Sequence, residues 1–310
     1  MSSQSKTAQQ PVSGKNADKV FKGVAYACGI LILVVLAAVA LFLLFRAWPL
    51  IGGDQKANSA TISNFTGGKA SSFWGYVGPL LFGTVLISAL ALLISFFVSV
   101  GIALFISHYA PKKLATALSY VVDLLAAIPS VIYGLLGILI LNPLMYKMEL
   151  AVFKGSSTHQ YTGGANLISA VLVLALMILP TVINISESAL RAVPGHLKSA
   201  SLALGATKIQ TIFQVILPAA KSGIITAVVL GTGRAIGEAM AITLVSGSSV
   251  NFPLPFNSVR FLTTAIVAEM GYASGLHREV LFTIGLVLFA FIMIINIGLN
   301  SILKKGEKTK

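Results

Sequence analysis

Residues 78–107 of the chain read GPLLFGTVLISALALLISFFVSVGIALFIS, a stretch without a single charged side chain. A helix of about 20 apolar residues crosses the hydrocarbon core of a bilayer, so this stretch is long enough to span it with tilt or to project beyond it. It lacks the polar/apolar alternation of a transmembrane β-strand. Because backbone groups in lipid must be hydrogen-bonded internally, the stretch predicts a transmembrane α-helix.

Five further apolar runs predict the rest of a helical bundle. They cover residues 23–46, 115–141, 166–185, 223–246 and 280–303. The first run is predicted to stop at Trp48 and Pro49, because tryptophan favours the membrane interface and proline ends a helix. Asp123 and Pro129 interrupt the run at 115–141. We therefore predict an all-α membrane protein with about six transmembrane helices.

The composition of the whole chain supports a membrane location. Of its 310 residues, 56% are hydrophobic and 10% are charged, and the mean hydropathy is +0.90. A soluble domain has about 25% charged residues, so this chain has too few polar side chains to cover a water-facing surface. The net charge of +13 is spread over all hydrophilic segments, without the aromatic and basic surface that binds nucleic acid. We expect membrane lipid as the surroundings and no nucleic-acid partner.

The hydrophilic ends of the chain indicate its orientation. Residues 1–22 are predicted to be a disordered cytoplasmic tail ahead of the first transmembrane helix, and residues 304–310 to be a basic cytoplasmic tail. Segments on the side of both termini hold twice as many lysines and arginines as those on the opposite side. By the positive-inside rule, this excess predicts that both termini are cytoplasmic.

The most informative polar segment lies at about residues 187–222, between the fourth and fifth apolar runs. It contains SASLALG at residues 199–205 and, after nine residues, VILP at residues 215–218. Gly205 permits a turn with positive φ, and Thr207 is a residue type that caps helices. The spacing predicts a short helix, a turn at Gly205 and a second helix that runs to Pro218.

This segment resembles the EAA loop of ABC importer permeases, which reads Glu-Ala-Ala, three residues, Gly, nine residues, Ile-x-Leu-Pro. Ser199 and Ser201 replace the glutamate and the last alanine. The resemblance implies a type I ABC importer permease fold of the binding-protein-dependent transport family, in which this loop sits in a groove of a cytoplasmic ATPase. The residues given this coupling role are Ser199, Ala200, Ser201, Gly205, Leu217 and Pro218.

Three more segments are similar to the C-type permease of phosphate importers. They read LAAIPSVIYG at residues 125–134, RAVP at 191–194 and LGTGRAIGEAMA at 230–241. The likeness covers residues 75–303, the predicted importer transmembrane domain. It implies a multi-pass subunit of a bacterial inner membrane that passes inorganic phosphate into the cytoplasm. The implied partners are a second, A-type permease, two cytoplasmic ATPase subunits and an external phosphate-binding protein.

Arg234 and Glu238 stand out as ionisable groups near the middle of an apolar run. Such a group costs about 2.5–3.5 kcal/mol on insertion scales. Their spacing predicts one shared helical face, on which they can offset each other, and glycines at 231, 233 and 237 leave the nearby surface open. Because a guanidinium matches the fork geometry of phosphate oxygens, we predict that Arg234 is a transient site for phosphate and that Glu238 holds Arg234. The alternative is an ion pair that locks two helices.

Other intramembrane polar residues keep more than one interpretation. For Asp123 the interpretations are contact with a cytoplasmic-side cation, a place along the path, or a structural partner. For Ser130, Tyr133, Thr181 and Asn184 the choice is between the path and helix packing. The four histidines are not spaced as metal ligands, so no metal site is predicted.

The motifs disfavour an enzyme. The sequence contains no G-x-S-x-G, H-E-x-x-H or Walker A pattern, so we predict no catalytic residue and no cofactor bound by this chain, with ATP used by a partner ATPase. A passive anion channel would also use an intramembrane arginine, but it needs no ATPase-coupling loop. An importer of another oxyanion, such as sulfate or molybdate, is the remaining alternative.

Overall fold

A computed structural model describes residues 15–53, 55–156 and 159–308 of the chain. Within these ranges the regular elements are α-helices, with single π-helical turns at Phe105–Tyr109, Gly137–Leu141 and Ile212–Ile216. In chain order the helices are α1 (Lys15–Gly52), α2 (Gln55–Phe65), α3 (Phe73–Leu104), α4 (Lys112–Ala127), α5 (Ser130–Leu136), α6 (Asn142–Val152), α7 (Leu167–Arg191), α8 (Gly195–Ala203), α9 (Lys208–Thr211), α10 (Leu217–Ala219), α11 (Lys221–Gly237), α12 (Met240–Val245), α13 (Leu262–Glu269) and α14 (Gly275–Lys308).

Five helical segments of the described chain are long and apolar enough to cross a membrane. They are Asp18–Leu50, Phe73–Tyr109, Ser130–Val152, Leu167–Arg191 and Gly275–Ser301. Lys208–Ala219 and α11 pass the same test together, but they meet at an angle of 64°. The described residues therefore hold five spans, or six if the bent pair is one span. This confirms the predicted all-α membrane architecture of about six helices.

Both terminal helices are longer than predicted. Helix α1 begins at Lys15 and continues through Pro49 to Gly52, so residues 15–22 are helical and the predicted stop at Pro49 is wrong. A proline in the last turn removes only one backbone hydrogen bond, which a membrane helix tolerates. Helix α14 begins before residue 280 and includes residues 304–308 of the predicted basic tail, since lysine is a good helix former. Residues 1–14 and 309–310 lie outside the described residues.

The run predicted at residues 115–141 is divided at Ile128 and Pro129 into α4 and α5. Pro129 has no N–H with which to bond the carbonyl of Leu125. The Tyr133 hydroxyl donates to that carbonyl at 2.7 Å and so compensates part of the loss. The apolar span consequently begins at Ser130, and α4 is a separate helix.

Helix α7 lies at the centre of the bundle, where it packs against α3 and α11. Asn166 caps its first turn by accepting a hydrogen bond from the Ser169 N–H at 3.1 Å. Small and branched residues fill the contacts among the three helices, including Ala91, Leu174, Ile178 and Ala227. Small side chains let membrane helices approach closely, so α7 fixes the positions of α3 and α11.

A buried carboxylate holds the loop that precedes α7. Glu149 is fully buried at the end of α6. Its carboxylate accepts a hydrogen bond from the Thr162 N–H at 2.9 Å and lies 2.8 Å from Nε2 of His159. The ring of Phe153 stacks on His159 with 3.7 Å between centroids. A buried charge needs such partners, and these contacts fix the loop at this end of the bundle.

A second charged cluster lies near the beginning of α14. Glu269 contacts both the Arg260 guanidinium and Nε2 of His277, the latter at 2.8 Å. Burial alone would lower the pKa of Arg260, but the Tyr76 hydroxyl and the Glu269 carboxylate raise it. The guanidinium therefore stays charged and joins α13 to the segment that precedes it.

Helix α1 packs against α14 on the outside of the bundle. None of its most apolar 18-residue window is buried. Near its C-terminus, Arg46 forms an ion pair with Glu279 of α14 at 3.0 Å, and its guanidinium lies 5.0 Å from the ring centre of Phe282. The apolar surface of α1 is left for lipid or a partner chain.

Candidate functional site

The segment Gly195–Ala219 forms a helical knob at the C-terminal end of α7. Gly205 has φ of +87°, which reverses the chain between α8 and α9. Thr207 caps α9: its Oγ1 accepts from the Gln210 N–H at 3.3 Å, and the Gln210 side chain accepts from the Thr207 N–H at 2.9 Å. The predicted turn and cap are both confirmed.

The two serines that depart from the EAA pattern have different surroundings. The hydroxyls of Ser201 and Thr211 lie 3.0 Å apart, so Ser201 joins the two arms of the knob where the pattern has alanine. Ser199 is exposed, and its hydroxyl donates to the backbone carbonyl oxygen of Gly195 in the first turn of α8 at 3.3 Å, a local contact. Of the other predicted coupling residues, Ala200, Gly205 and Pro218 are exposed and Leu217 is half-buried.

The knob has an apolar tip and a buried base. Leu204 is 89% exposed, and Ile209 and Phe213 are also largely exposed. Exposed apolar patches of this kind mark surfaces that bind another protein. At the base, Ile212 and Ile216 are buried in one cluster with residues of α3 and α7. A force applied at the tip would therefore reach the core helices.

Arg234 lies near the C-terminal end of α11. Thirteen residues separate it from Lys221 at the start of the helix, which places it about 20 Å along the axis. The side chain is half-buried, and its Nη1 donates to the Thr181 hydroxyl of α7 at 3.3 Å. Arg234 and Thr181, predicted separately, are thus brought together by the packing of α11 on α7.

Glu238 lies outside the helix that carries Arg234. Helix α11 ends at Gly237, and Glu238 has extended backbone angles of φ −74° and ψ 131°. Its carboxylate accepts from the Ala241 N–H at 3.0 Å and so caps α12. Among the described residues, no ion pair joins Arg234 to Glu238. The prediction of one shared helical face is wrong, because the helix breaks between the two residues.

The glycines of α11 divide into two groups. A side chain at Gly231 would meet Val182 and Ile178 of α7 at 3.0 and 3.2 Å, so this glycine permits close helix packing. Nothing lies within 4 Å of the corresponding position at Gly233 or Gly237. The predicted open surface therefore exists at these two positions and not at Gly231.

Helix α7 carries a polar stripe that sequence reasoning did not assemble. Thr181, Asn184 and Ser188 recur at helical spacing. The Asn184 side chain donates to the Asp123 carboxylate of α4 at 2.9 Å. The sequence did show a polar residue in each of these two apolar runs. It could not show that the two residues pair, because the pairing depends on how α4 packs on α7. Tyr133, by contrast, has a structural contact at the helix break, and Ser130 is the first residue of α5.

Comparison with known proteins places this geometry in a family. The family model "Binding-protein-dependent transport system inner membrane component" matches residues 99–306. The chain is 35% identical to the probable ABC transporter permease protein YqgH of Bacillus subtilis, over 87% of this chain and 86% of that protein. It is 31% identical to the phosphate transport system permease protein PstC of Haemophilus influenzae, over 94% of this chain and 95% of that protein.

Two solved structures share the fold at low identity. One is a chain of a bacterial alginate ABC transporter in complex with a periplasmic protein that binds an alginate pentasaccharide. The two chains are 16% identical with a TM-score of 0.64, and the match covers 94% of this chain and 96% of that chain. The other is a chain of the inward-facing MetNI methionine ABC transporter, which is 19% identical with a TM-score of 0.56. That match covers 74% of this chain and 96% of the transporter chain. The fold is that of type I ABC importer permeases. The chain belongs to the family of inner-membrane components of binding-protein-dependent transport systems.

Proposed function

We propose that this chain is the membrane-spanning permease subunit of an ATP-driven ABC importer that moves inorganic phosphate into a bacterial cytoplasm. The observation that carries the proposal is the knob, whose exposed apolar tip is joined through a buried base to the core helices. A passive channel has no need of such a device. Relatives described as phosphate transport permeases, matched over more than nine-tenths of the chain, support phosphate as the substrate.

The proposed orientation places the knob in the cytoplasm. Both termini then lie on the knob's side of the membrane, in agreement with the excess of basic residues there. Two cytoplasmic ATPase subunits would hold the knob of this chain and that of a second permease, and ATP would be hydrolysed by them. An external phosphate-binding protein would deliver the anion at the opposite end, where α7 begins.

Arg234 is the proposed intramembrane phosphate site. Its hydrogen bond goes to a neutral hydroxyl, and the described residues provide no carboxylate partner for it. The positive charge is therefore available to an oxyanion, and Gly233 and Gly237 leave room beside it. Glu238 does not hold Arg234 directly, as the sequence predicted. Its carboxylate caps α12 and so fixes the break that ends α11. The position of this break determines where Arg234 lies.

The knob and Arg234 are linked through α11. The arm formed by α9 and α10 meets α11 at 64°, and the base of the knob packs on α3 and α7. Movement of the knob would shift α11 relative to α7 and change the contact between Arg234 and Thr181. ATP-driven closure would thereby alter the affinity of the site for the anion.

Transport by the reconstituted complex tests this proposal. The chain, co-purified with its partner subunits and placed in vesicles with the binding protein, should take up radiolabelled phosphate only when ATP is supplied. Excess sulfate or molybdate should not compete. Competition by either anion would point to the other oxyanion class, and equal flux without ATP would indicate a passive channel.

A further inference from the structure

We propose that Asp123 and Asn184 form an anion gate between Arg234 and the knob end of the bundle. This inference rests on the proposed function, because it concerns how the same path is closed to an oxyanion. It assigns a role to Asp123, an acidic residue in a path for anions.

Helix α4 runs alongside α7 in the opposite direction. Asp123 contacts Asn184 at 2.9 Å, and Ser119, one turn earlier, contacts Glu187 at 3.3 Å, one turn later. Because α7 spans the membrane, α4 enters it too. Asn184 lies seven residues before the end of α7 at Arg191, about 10 Å along the axis. Asn184 is also the penultimate residue of the apolar run at 166–185, so Asp123 is held near the knob-side end of the membrane-spanning part of α7.

The Asp123 carboxylate is exposed and has no ion-pair partner within the part of the chain that the structure describes. At this end of the span a carboxylate faces the water at the mouth of a path or a partner protein, because contact with lipid tails is costly. Its described hydrogen bond comes from the neutral Asn184 amide. The negative charge is thus left uncompensated at the surface of the path.

Arg234 and Asp123 occupy successive steps on one stripe of α7. Thr181 accepts from Arg234, and Asn184, three residues closer to the knob, donates to Asp123. An anion that leaves Arg234 towards the knob would next meet the Asp123 carboxylate, which repels it. The Asn184 amide can donate to that carboxylate or to a passing oxyanion. When Asp123 is displaced, the anion is therefore no longer repelled at this position and can bind to the Asn184 amide.

Helix α4 has the features needed to move. It ends at the Pro129 break, where the Tyr133 hydroxyl replaces a missing backbone bond. A cavity of about 790 Å³ lies beside it, lined by apolar residues that include Leu118, Val122 and Leu125 of α4. The cavity is also lined by Leu179 and Ile183 of α7, so there is room beside the Asp123–Asn184 contact for α4 to shift against α7 and break it.

A purely structural role would make Asp123 an anchor of α4 on α7. Asp123→Asn separates the two roles, because asparagine has the same size and can still accept the hydrogen bond from Asn184 while its charge is lost. The measurement is exchange of radiolabelled phosphate across vesicles that contain the complete complex, without ATP. The gate predicts that exchange rises on the order of ten-fold, since removing a repulsive charge raises the local anion concentration. An anchor predicts no rise.

Ser119→Ala is the matched control, because it removes another contact between α4 and α7 without changing the charge. It should leave ATP-free exchange at the wild-type level. Equal exchange in wild type and Asp123→Asn would overturn the gate, as would an equal rise in Ser119→Ala. ATP-driven uptake by the wild type reports separately on the proposed function. If sulfate or molybdate is carried in place of phosphate, the same exchange assay with that anion judges the gate.

Discussion

Arg234 differs in its partner from three other arginines of the described chain. Arg46, Arg191 and Arg260 each pair directly with a carboxylate, whereas Arg234 donates to the Thr181 hydroxyl. A guanidinium paired with a carboxylate has little charge left for a ligand. The absence of such a pair at Arg234, within the described chain, is what allows this residue to bind an oxyanion and release it again.

Replacing Arg234 tests this role at the level of one side chain. Arg234→Gln should lower ATP-driven phosphate uptake by about 10- to 100-fold, because a hydrogen bond to a charged group contributes about 1.5–3 kcal/mol. Arg234→Lys keeps the charge without the fork geometry, so its uptake should be intermediate. Uptake is measured in vesicles at equal protein content. Arg278→Gln, at an exposed arginine, is the control, and wild-type uptake by Arg234→Gln would contradict the role.

At the scale of the elements, the knob combines a defined turn, a helix cap and a contact between its arms. Gly205 and Thr207 set the direction of the second arm, and the Ser201–Thr211 contact of 3.0 Å keeps the arms together. These features are local, so the knob holds its shape while its tip stays exposed. Leu204 is the most exposed apolar residue of that tip.

Leu204→Asp tests whether the tip binds the ATPase. A buried leucine contributes about 1.5–3 kcal/mol, so the ATPase should be lost from the complex on purification and uptake should fall in parallel. His196→Ala changes an exposed residue of α8 in the same knob that is not among the predicted coupling residues, and it should retain both. The amount of ATPase that co-purifies with each variant is the measurement. Unchanged co-purification of the ATPase with Leu204→Asp would show that the tip is not the contact.

At the scale of the whole molecule, the bundle has a tightly packed centre and a first helix that lies on its outside. Helices α3, α7 and α11 share one core, while α1 packs on the outside against α14, where Arg46 contacts Glu279 and Phe282. The centre therefore supplies the stability of the subunit, and α1 presents a long apolar surface to its surroundings.

Arg46→Ala should loosen α1 without unfolding the bundle. The ion pair is partly exposed and contributes about 1 kcal/mol or less, and the ring contact about 0.5–1 kcal/mol. We expect a small drop in Tm in detergent, together with faster protease cleavage between α1 and α3. Lys147→Ala, at an exposed residue of α6, should leave both unchanged. A large loss of Tm would mean that α1 is part of the stabilising core.

The knob was predictable from the sequence because its determinants are local. A glycine for positive φ, a threonine cap and the spacing to Pro218 lie within 25 residues of one another, and each acts through its own backbone. The helical architecture of five or six spans was predictable for a similar reason, since hydrophobic length is a property of the segment itself. These features need no knowledge of which helices are neighbours.

The polar contacts of the site depend on tertiary packing and could not be read in this way. Asp123 and Asn184 are 61 residues apart, and Arg234 and Thr181 are 53 residues apart. The break at Glu238 was missed because no proline marks it. The side chain of Glu238 accepts from the Ala241 N–H and so caps α12, and its backbone carbonyl accepts from the Thr263 hydroxyl. The spacing of Arg234 and Glu238 in the sequence reveals neither hydrogen bond.

The 64° angle between the knob's second arm and α11 has a mechanical consequence. Two rigid rods joined at such an angle act as a crank, in which a sideways push on one rod acquires a component along the other. ATPase domains that close parallel to the membrane plane would thus drive α11 partly along the membrane normal. That is the direction in which the transported ion must travel.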